Sequence, residues 1–257
     1  MTGNFTANST VVLGSGTKPY VAAAVMRLVD SGLVGFEDKA ATHIDPCMSR
    51  LWNTTFVGLM GPPAANVTVA HLLRHQSGLA DFDVQTYERR VLLNETGVHD
   101  PLEDLQWVAN LTGPLGCKNH TCTWLFKPGT GDHIAYSSTN FLLAGVVVLC
   151  HQPHLLGWRS LDLASLLDLP KLGLHHTFFP TAGHLPEEGL TTVGSSHLYG
   201  DTDLFDQDSS IMGWCYGNAV ASARDGSIMA VVERMFVLRV RVSSGDADVF
   251  VSKSFSR

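Results

Sequence analysis

The pattern of apolar residues predicts a helix near the start of the chain. It spans about residues 17–31, with Gly16-Thr17 at its beginning and Gly32 just after its end. The apolar residues of this stretch recur every three or four positions, so they share one face: Val21, Ala24, Val25, Leu28 and Val29. We expect that face to pack against the protein core.

Two further stretches are predicted to be helical, with a turn between them. The pattern over Val69–His75 predicts a short helix that stops at Ser77-Gly78, where glycine adopts the left-handed conformation easily. Pro128-Gly129-Thr130-Gly131 has the composition of a turn. The apolar stretch Thr139–Leu149 predicts a buried helix, and its Thr139-Asn140 start would cap the first amides.

The end of the chain favours a β-hairpin. The stretch from Phe236 to Val242 ends in alternating valines and arginines, so the valines would face the core and the arginines would face the solvent. Ser243–Asp246 supplies turn residues, and residues 248–252 would form the returning strand.

Composition and charge restrict the class of protein. The chain has 257 residues, 45% apolar and 16% charged, as in a globular protein with one large domain or two small ones. Its formal net charge is −7 and it has no cluster of Lys and Arg, so we expect no nucleic-acid partner. The longest apolar run, Phe141–Cys150, would extend only about 15 Å as a helix, so we expect no membrane span.

Seven of the nine asparagines open an Asn-x-Ser/Thr sequon, where random placement would give only about 1.4. This excess favours an extracellular or lumenal protein with glycosylated loops, although a Thr-rich and Asn-rich surface is the alternative. Residues 1–10 lack the basic start and apolar centre of a signal peptide, so we expect the natural N-terminus to lie upstream. The sequon asparagines are Asn4, Asn8, Asn53, Asn66, Asn94, Asn110 and Asn119.

The five cysteines leave at least one unpaired. An oxidising compartment would favour a disulfide between the couple nearest in sequence, Cys117 and Cys122. The same spacing is compatible with half of a zinc site, but no second Cys/His pair of matching spacing accompanies it. We therefore expect the disulfide. The other cysteines are Cys47, Cys150 and Cys215.

The first candidate for catalytic chemistry is the stretch Ser15-Gly16-Thr17-Lys18. Ser15 would lie at the first turn of the first helix, and Lys18 would project from the same face one turn later. A desolvated lysine can act as a base toward a serine hydroxyl, or its charge can stabilise a nearby phenolate. Because Ser and Lys are common, the alternative is a helix cap followed by a solvated lysine.

Four blocks of sequence, in order, resemble the β-lactamase-related serine hydrolases, a family that includes class C β-lactamases, DD-peptidases and esterases. The blocks are Leu13–Lys18 with Leu28–Leu33, then Val67–Leu79, then Phe126–Gly129, then Ala135–Gly145. A fainter block, Tyr216–Asp225, is similar to the start of a later helix in the family. The resemblance covers about residues 12–225. It implies an α/β (α+β) fold of the β-lactamase/transpeptidase type, with an antiparallel sheet flanked by helices and a helical insertion.

The resemblance also implies catalytic roles for three residues. Ser15 would be the acylated nucleophile, Lys18 its partner, and Tyr136 the residue that carries a proton between the serine and the leaving group. A phenol has a pKa of about 10, so it acts as a base only if a cation such as Lys18 stabilises its phenolate. The alternative for Tyr136 is a packed aromatic ring at the entrance of a helix.

Two features depart from the family pattern. Ser138 stands where the second motif, Tyr-x-Asn, has its asparagine, and a hydroxyl makes fewer hydrogen bonds than an amide. We interpret Ser138 as a substrate-binding residue that lines the site, with Asn140 as a substitute if the helix start is rotated. The third motif, Lys/His-x-Gly, is not evident, because Lys253-Ser254-Phe255 lacks the glycine. That strand supplies an oxyanion-hole amide in the family, and losing such a donor costs about 10²–10³ in rate. The family's opening strands are not evident either, so we expect an incomplete sheet.

Histidines offer an alternative site for a metal. His71 and His75 lie four residues apart on one predicted helix, and His175-His176 could add a ligand. No Glu follows His71 as a metalloprotease motif requires, and the surrounding block resembles a structural segment of the family. We therefore expect neither a metal nor an organic cofactor.

These observations predict a single incomplete β-lactamase-related domain over residues 1–257. Residues 12–45 would hold the nucleophile helix, residues 46–205 a mostly helical region, and residues 206–257 a return segment with the hairpin. The expected function is hydrolysis of an ester or amide, such as a β-lactam, a D-amino peptide or an ester, through an acyl-enzyme on Ser15. A noncatalytic scaffold and a truncated or mispredicted, inactive gene product are the alternatives. The sequence indicates a small-molecule or peptide substrate without identifying it, and it does not indicate the oligomeric state.

Overall fold

The computed structural model describes residues 6–84, 87, 97–183, 190–192, 195, 196, 202, 203 and 207–227. The hairpin predicted from residue 236 onward, Lys253-Ser254-Phe255 and the sequons at Asn4 and Asn94 lie outside the described residues.

The described part of the chain is rich in helix. The α-helices are α1 (Lys18–Asp30), α2 (Ala40–Trp52), α3 (Phe56–Met60), α4 (Val69–Leu73), α5 (Pro101–Ala109), α6 (Ser138–Cys150) and α7 (Leu163–Leu167). Short 3₁₀ helices cover Ser15–Thr17, Pro62–Asn66, Trp158–Ser160, Leu169–Leu172 and Ser209–Met212. The predicted first helix is confirmed, and so is the short helix that begins at Val69. None of the described helices is long and apolar enough to span a bilayer.

Helix α6 is the centre of the core. Every residue from Ser138 to Leu149 is buried, and α1, α2 and α4 pack around this helix. Because an almost wholly apolar helix must be covered on all sides, its sequence dictates this central position. A disulfide between Cys47 of α2 and Cys150 of α6 joins two of these helices, with Cα atoms 5.5 Å apart. The predicted Cys117–Cys122 disulfide is also present.

The predicted cap of this helix was wrong. The helix begins at Ser138 with Ser137 as the N-cap, and no side chain of the N-cap binds its amides. The Thr139 hydroxyl donates instead to the carbonyl of Ala80 over 2.7 Å. The Asn140 side chain accepts from the Ser77 hydroxyl over 2.5 Å. The stretch 77–81 packs closely against the start of α6, so these polar groups bind to it rather than to their own helix.

A small sheet lies beside the helices. Its described strands are β1 (Thr10–Val12), β2 (Thr177–Phe178), β3 (Leu190–Thr192) and β6 (Val220–Ser222), in the order β2-β6-β1-β3. The β1–β6 and β2–β6 pairs are antiparallel, as predicted, but β1 pairs with β3 in parallel, so the sheet is mixed. Strands β4 (Ser195–Ser196) and β5 (Thr202–Asp203) form a separate antiparallel pair. The α/β fold class, a small sheet flanked by helices, is confirmed.

Candidate active site

Ser15 lies at the junction between the sheet and the first helix. Strand β1 ends at Val12, Leu13 donates its amide to the carbonyl of Ala219 over 2.8 Å, and the 3₁₀ turn then begins at Ser15. Gly14 makes this turn with φ 53° and ψ −127°. A Cβ at Gly14 would meet no atom within 4 Å, so the backbone conformation and not the available space requires glycine here.

The turn is fixed by the threonine between Ser15 and Lys18. The hydroxyl of buried Thr17 donates to the carbonyl of Gly14 over 2.8 Å. The same oxygen accepts from the amide of Ala219 over 2.7 Å. These two bonds tie the start of α1 to the segment that leads into β6, so the position of Ser15 is set by the sheet as well as by the helix.

The structure brings Ser15, Lys18 and Tyr136 together. Lys18 Nζ donates to Ser15 Oγ over 2.9 Å, and the Tyr136 hydroxyl donates to the same oxygen over 2.6 Å. Lys18 Nζ also lies 5.0 Å from the centre of the Tyr136 ring. Ser15 is exposed and Tyr136 is 49% exposed, whereas Lys18 is only 5% exposed. The hydroxyl and the phenol therefore face solvent, with the amine beneath them. Their catalytic roles stay predictions.

The second partner of Lys18 is a main-chain carbonyl that the sequence did not reveal. Lys18 Nζ donates to the carbonyl oxygen of Tyr216 over 3.1 Å. Within the described part of the chain, Lys18 forms no ion pair with a carboxylate. Two oxygen acceptors without formal charge therefore hold this amine close to Ser15.

Tyr216 is in turn held by a buried carboxylate. Its hydroxyl donates to Asp104 Oδ2 over 2.8 Å, and Asp104 is only 1% exposed. The other carboxylate oxygen accepts from the Tyr87 hydroxyl over 2.8 Å and lies 2.6 Å from His99 Nε2. Burial lowers the pKa of His99, but the hydrogen bond and charge of Asp104, with Glu103 and Asp100, outweigh it and raise the pKa. The side-chain network around Asp104 thus anchors the segment that supplies the carbonyl to Lys18.

His75 packs against the site and was considered from the sequence only as a metal ligand. Its ring centre lies 4.7 Å from that of Tyr136 and 5.2 Å from that of Phe141. Its Nδ1 accepts from the amide of Ser137 over 3.2 Å. Burial, followed by the charge of Lys18, lowers the pKa of His75 to about 4. His75 is therefore neutral at physiological pH and serves as a packing surface for the phenol.

Asp81 lies beneath the start of α6. It is 7% exposed, and its Oδ1 accepts from the amides of Asp83 and Ser138 over 3.1 and 3.0 Å. Burial raises the pKa of this carboxyl to about 6, although the two hydrogen bonds oppose the shift. No motif pointed to Asp81, because a single acidic residue after Gly78-Leu79-Ala80 has no distinguishing spacing.

Ser138, which we interpreted as a residue lining the site, does not lie at its surface in the structure. Its side chain is fully buried, and its Oγ has no hydrogen-bond partner among the described residues. As the first residue of α6 it packs into the core, and Asp81 holds its amide. Asn140 is fully buried and bound to Ser77, so it does not replace Ser138. A substrate-binding role for Ser138 stays a prediction.

The histidines considered as metal ligands have separate partners. His71 Nδ1 accepts from the amide of Thr68 over 3.2 Å as part of a capping box, while His75 packs on Tyr136. His175 and His176 are exposed beside β2. Within the described part of the chain, no three His, Cys, Asp or Glu side chains converge as a metal site would require.

Comparisons with known proteins concern the family and the fold. The model of the beta-lactamase family matches residues 2–233. Penicillin-binding protein 4* of Bacillus subtilis is 28% identical over 141 residues, which is 55% of this chain and 25% of that protein.

Solved structures show the fold. The D-stereospecific amidohydrolase of a Streptomyces species superposes with a TM-score of 0.60 at 21% identity, over 86% of this chain and 60% of that one. The D-amino acid amidase of Ochrobactrum anthropi superposes with a TM-score of 0.57 at 20% identity, over 92% of this chain and 58% of that one. A penicillin-binding protein of Bacillus halodurans superposes with a TM-score of 0.57 at 16% identity, over 90% of this chain and 61% of that one. The chain thus spans about three fifths of the length of these structures and a quarter of the Bacillus subtilis protein.

Proposed function

The chain belongs to the beta-lactamase family of serine hydrolases, and we propose that it hydrolyses an ester or amide through an acyl-enzyme on Ser15. The single observation that carries the proposal is the pair of hydrogen bonds that meet at Ser15 Oγ. One comes from Lys18 over 2.9 Å and the other from Tyr136 over 2.6 Å. A nucleophile and its base within hydrogen-bond reach are the signature of covalent catalysis.

In the proposed first step, Ser15 Oγ attacks the carbonyl carbon of the substrate. In the reactive state the Tyr136 phenol is ionised and the Lys18 ammonium balances its charge. The hydroxyl proton of Ser15 passes to the Tyr136 oxygen as the bond between Oγ and carbon forms. Tyr136 then gives this proton to the leaving nitrogen or oxygen as its bond to the carbonyl carbon breaks. In the second step a water oxygen attacks the acyl carbon and gives its proton to the Tyr136 oxygen. Tyr136 returns this proton to Ser15 Oγ as the bond between Oγ and carbon breaks and the acid is released.

Lys18 is proposed to act electrostatically and as a hydrogen-bond donor. Its low exposure of 5% strengthens its interaction with charge that develops on Tyr136 or Ser15, because little water screens it. The Tyr216 carbonyl fixes the amine from the other side over 3.1 Å. Preorganised donors of this kind cost no reorganisation during the reaction.

The substrate class is proposed from the neighbours, whose names describe a D-stereospecific amidohydrolase and a D-amino acid amidase. A direct test is a panel of D-phenylalanine amide, L-phenylalanine amide, a p-nitrophenyl ester and a chromogenic cephalosporin. Hydrolysis of at least one, abolished by Ser15→Ala, supports the proposal. Equal turnover of the panel by wild type and Ser15→Ala contradicts it.

A noncatalytic scaffold is the second candidate, and the burial of Ser138 favours it. At 0% exposure, Ser138 offers substrate no side chain where the family pattern has an asparagine. This candidate predicts that Ser15→Ala leaves every function of the protein intact. Loss of hydrolysis in that variant, with unchanged thermal unfolding, would exclude it.

A further inference from the structure

The asparagines of the described chain divide into two groups by burial. Those that open sequons, Asn8, Asn53, Asn66, Asn110 and Asn119, are all exposed. The two outside sequons, Asn140 and Asn218, are both 0% exposed. Every described asparagine on the surface therefore belongs to a sequon, and every buried one does not.

The two groups also differ in what their side chains do. Asn140 Oδ1 accepts from the Ser77 hydroxyl over 2.5 Å, and Asn218 Nδ2 donates to the carbonyl of Pro180 over 2.9 Å. The side-chain amides of the five exposed asparagines form no hydrogen bond with any described residue. Hydrogen bonding therefore accounts for the buried asparagines but not for the exposed ones. Among the five, the left-handed backbone of Asn53 favours asparagine for a local reason, and at the other four many polar residues would serve.

The third position of the sequons is biased as well. All seven sequons of the chain have threonine there, although the chain contains 20 serines and 20 threonines. The β-methyl group of threonine restricts rotation about χ1 and so limits where its hydroxyl points. A bias toward one of two hydroxyl residues is unexplained by surface polarity alone, because serine is equally polar.

The exposed asparagines lie in turns or at ends of helices. Asn53 follows α2 with φ 50°, Asn110 follows α5, and Asn66 ends a 3₁₀ helix. Asn8 lies in the turn before β1. Asn119 lies inside the loop closed by the Cys117–Cys122 disulfide. Attached sugar at such positions projects into solvent and displaces no core contact.

We propose that these five asparagines are sites of N-linked glycosylation. The two disulfides of the structure, Cys47–Cys150 and Cys117–Cys122, fit the oxidising compartment in which this modification occurs. The chain is thus a glycoprotein of the extracellular space or of a secretory lumen.

The test is performed on the full-length protein isolated from the organism that makes it. Peptide N-glycosidase in heavy-oxygen water converts each glycan-bearing asparagine to an oxygen-labelled aspartate, which peptide mass spectrometry locates. A parallel digest without the enzyme measures spontaneous deamidation. Label at three or more of the five positions, and at neither Asn140 nor Asn218, supports the proposal. Label at two or fewer of the five overturns it.

A pair of matched variants tests one site in protein secreted by eukaryotic cells. Thr112 is the exposed third residue of the Asn110 sequon. Thr112→Ala should abolish the label at Asn110 and keep it at the other positions, whereas Thr112→Ser should keep all of them. Retention of label at Asn110 in Thr112→Ala contradicts sequon-dependent modification. The readout is independent of hydrolase activity, so it stands whether or not Ser15 is a nucleophile.

Discussion

The hydroxyl of Tyr136 lies 2.6 Å from Ser15 Oγ, although 121 positions separate the two residues in the chain. The contact depends on two elements that the core holds together, since Ser15 leads into α1 and Tyr136 precedes α6, and these helices pack against each other. The phenol is therefore positioned by the most buried part of the protein.

Removing only the Tyr136 hydroxyl tests whether its contact with Ser15 takes part in catalysis. In Tyr136→Phe the ring can still pack on His75, so thermal unfolding should stay near that of wild type. We expect kcat to fall by about 10²–10⁴, because a proton-transfer group is lost, with a smaller change in KM. Steady-state kinetics on a panel substrate checks this. Unchanged kcat would show that Tyr136 carries no proton in the reaction.

Lys18→Met should raise the pKa of His75, which an NMR titration can measure. The charge of Lys18 helps lower the pKa of His75 to about 4, so its removal should raise that pKa partway toward the ordinary value of 6.5. The rise is partial because burial is the larger cause. NMR titration of the His75 ring proton measures it, and His71, whose pKa is lowered by burial without a contribution from Lys18, is the internal control. If the pKa of His75 does not change in this variant, the position of the Lys18 charge near His75 is contradicted.

Asp81→Asn should stabilise the protein at neutral pH. The folded-state pKa of Asp81 is raised from 3.8 to about 6, so the folded state binds the proton more tightly and stability falls as pH rises between these values. An asparagine can keep both hydrogen bonds to Oδ1 without the buried charge. We expect a gain of about 1–3 kcal/mol at pH 7 and little change at pH 3. Urea unfolding at both pH values measures it.

Asp83→Asn is the matched control for that experiment. Asp83 is exposed, and its amide, not its carboxyl, binds Asp81. Its substitution should change stability by less than about 0.5 kcal/mol. A loss of stability in Asp81→Asn that is equal at both pH values would contradict this account of the buried charge, because Asp81 carries that charge at pH 7 and not at pH 3.

Asp104→Asn should destabilise the protein. The carboxylate accepts from Tyr87, His99 and Tyr216, and an amide presents a donor to groups that also donate. We expect a loss of about 2–4 kcal/mol. The folded-state pKa of His99 is raised, so its pairing with Asp104 stabilises the protein fully at pH values below about 6.5, the ordinary pKa of histidine. This stabilisation is lost as the pH rises through the folded-state pKa.

The stability of Asp104→Asn should therefore differ from that of wild type more at pH 5.5 than at pH 9. Glu103→Gln is the control, since Glu103 is half exposed and lies 3.8 Å from His99, so only a small effect is expected. Denaturant unfolding across this range measures the difference. A pH-independent loss in Asp104→Asn would exclude the His99 pairing as its cause.

Local patterns in the sequence predicted the elements that hold the candidate site. The periodicity after Ser15 predicted α1, and the apolar run after Asn140 predicted the buried helix α6. The spacing of Ser15 and Lys18 placed them one turn apart, as the structure has them. These features depend on residues near in sequence, and periodicity reports such neighbours directly.

The contact of Tyr136 with Ser15 was implied by the family resemblance, but other contacts between distant parts of the chain were not predicted. The Tyr216 carbonyl that binds Lys18 lies 198 positions away and has no side-chain signal at all. The Cys47–Cys150 disulfide closes a separation of 103 positions, which spacing alone does not indicate. The burial of Ser138 also depends on tertiary packing, because residues 77–81 cover the start of α6. Helix α2 was missed because Pro46 interrupts its pattern.

Covalent labelling of Ser15 is the decisive test of its role as the nucleophile. The full-length protein is incubated with a fluorophosphonate and, separately, with a β-lactam, and the modified peptide is located by mass spectrometry; Ser15→Ala is the control. We expect an adduct of one probe or both on Ser15 that is absent from the variant. A folded protein that takes no label at Ser15, or that is labelled equally in Ser15→Ala, would contradict it.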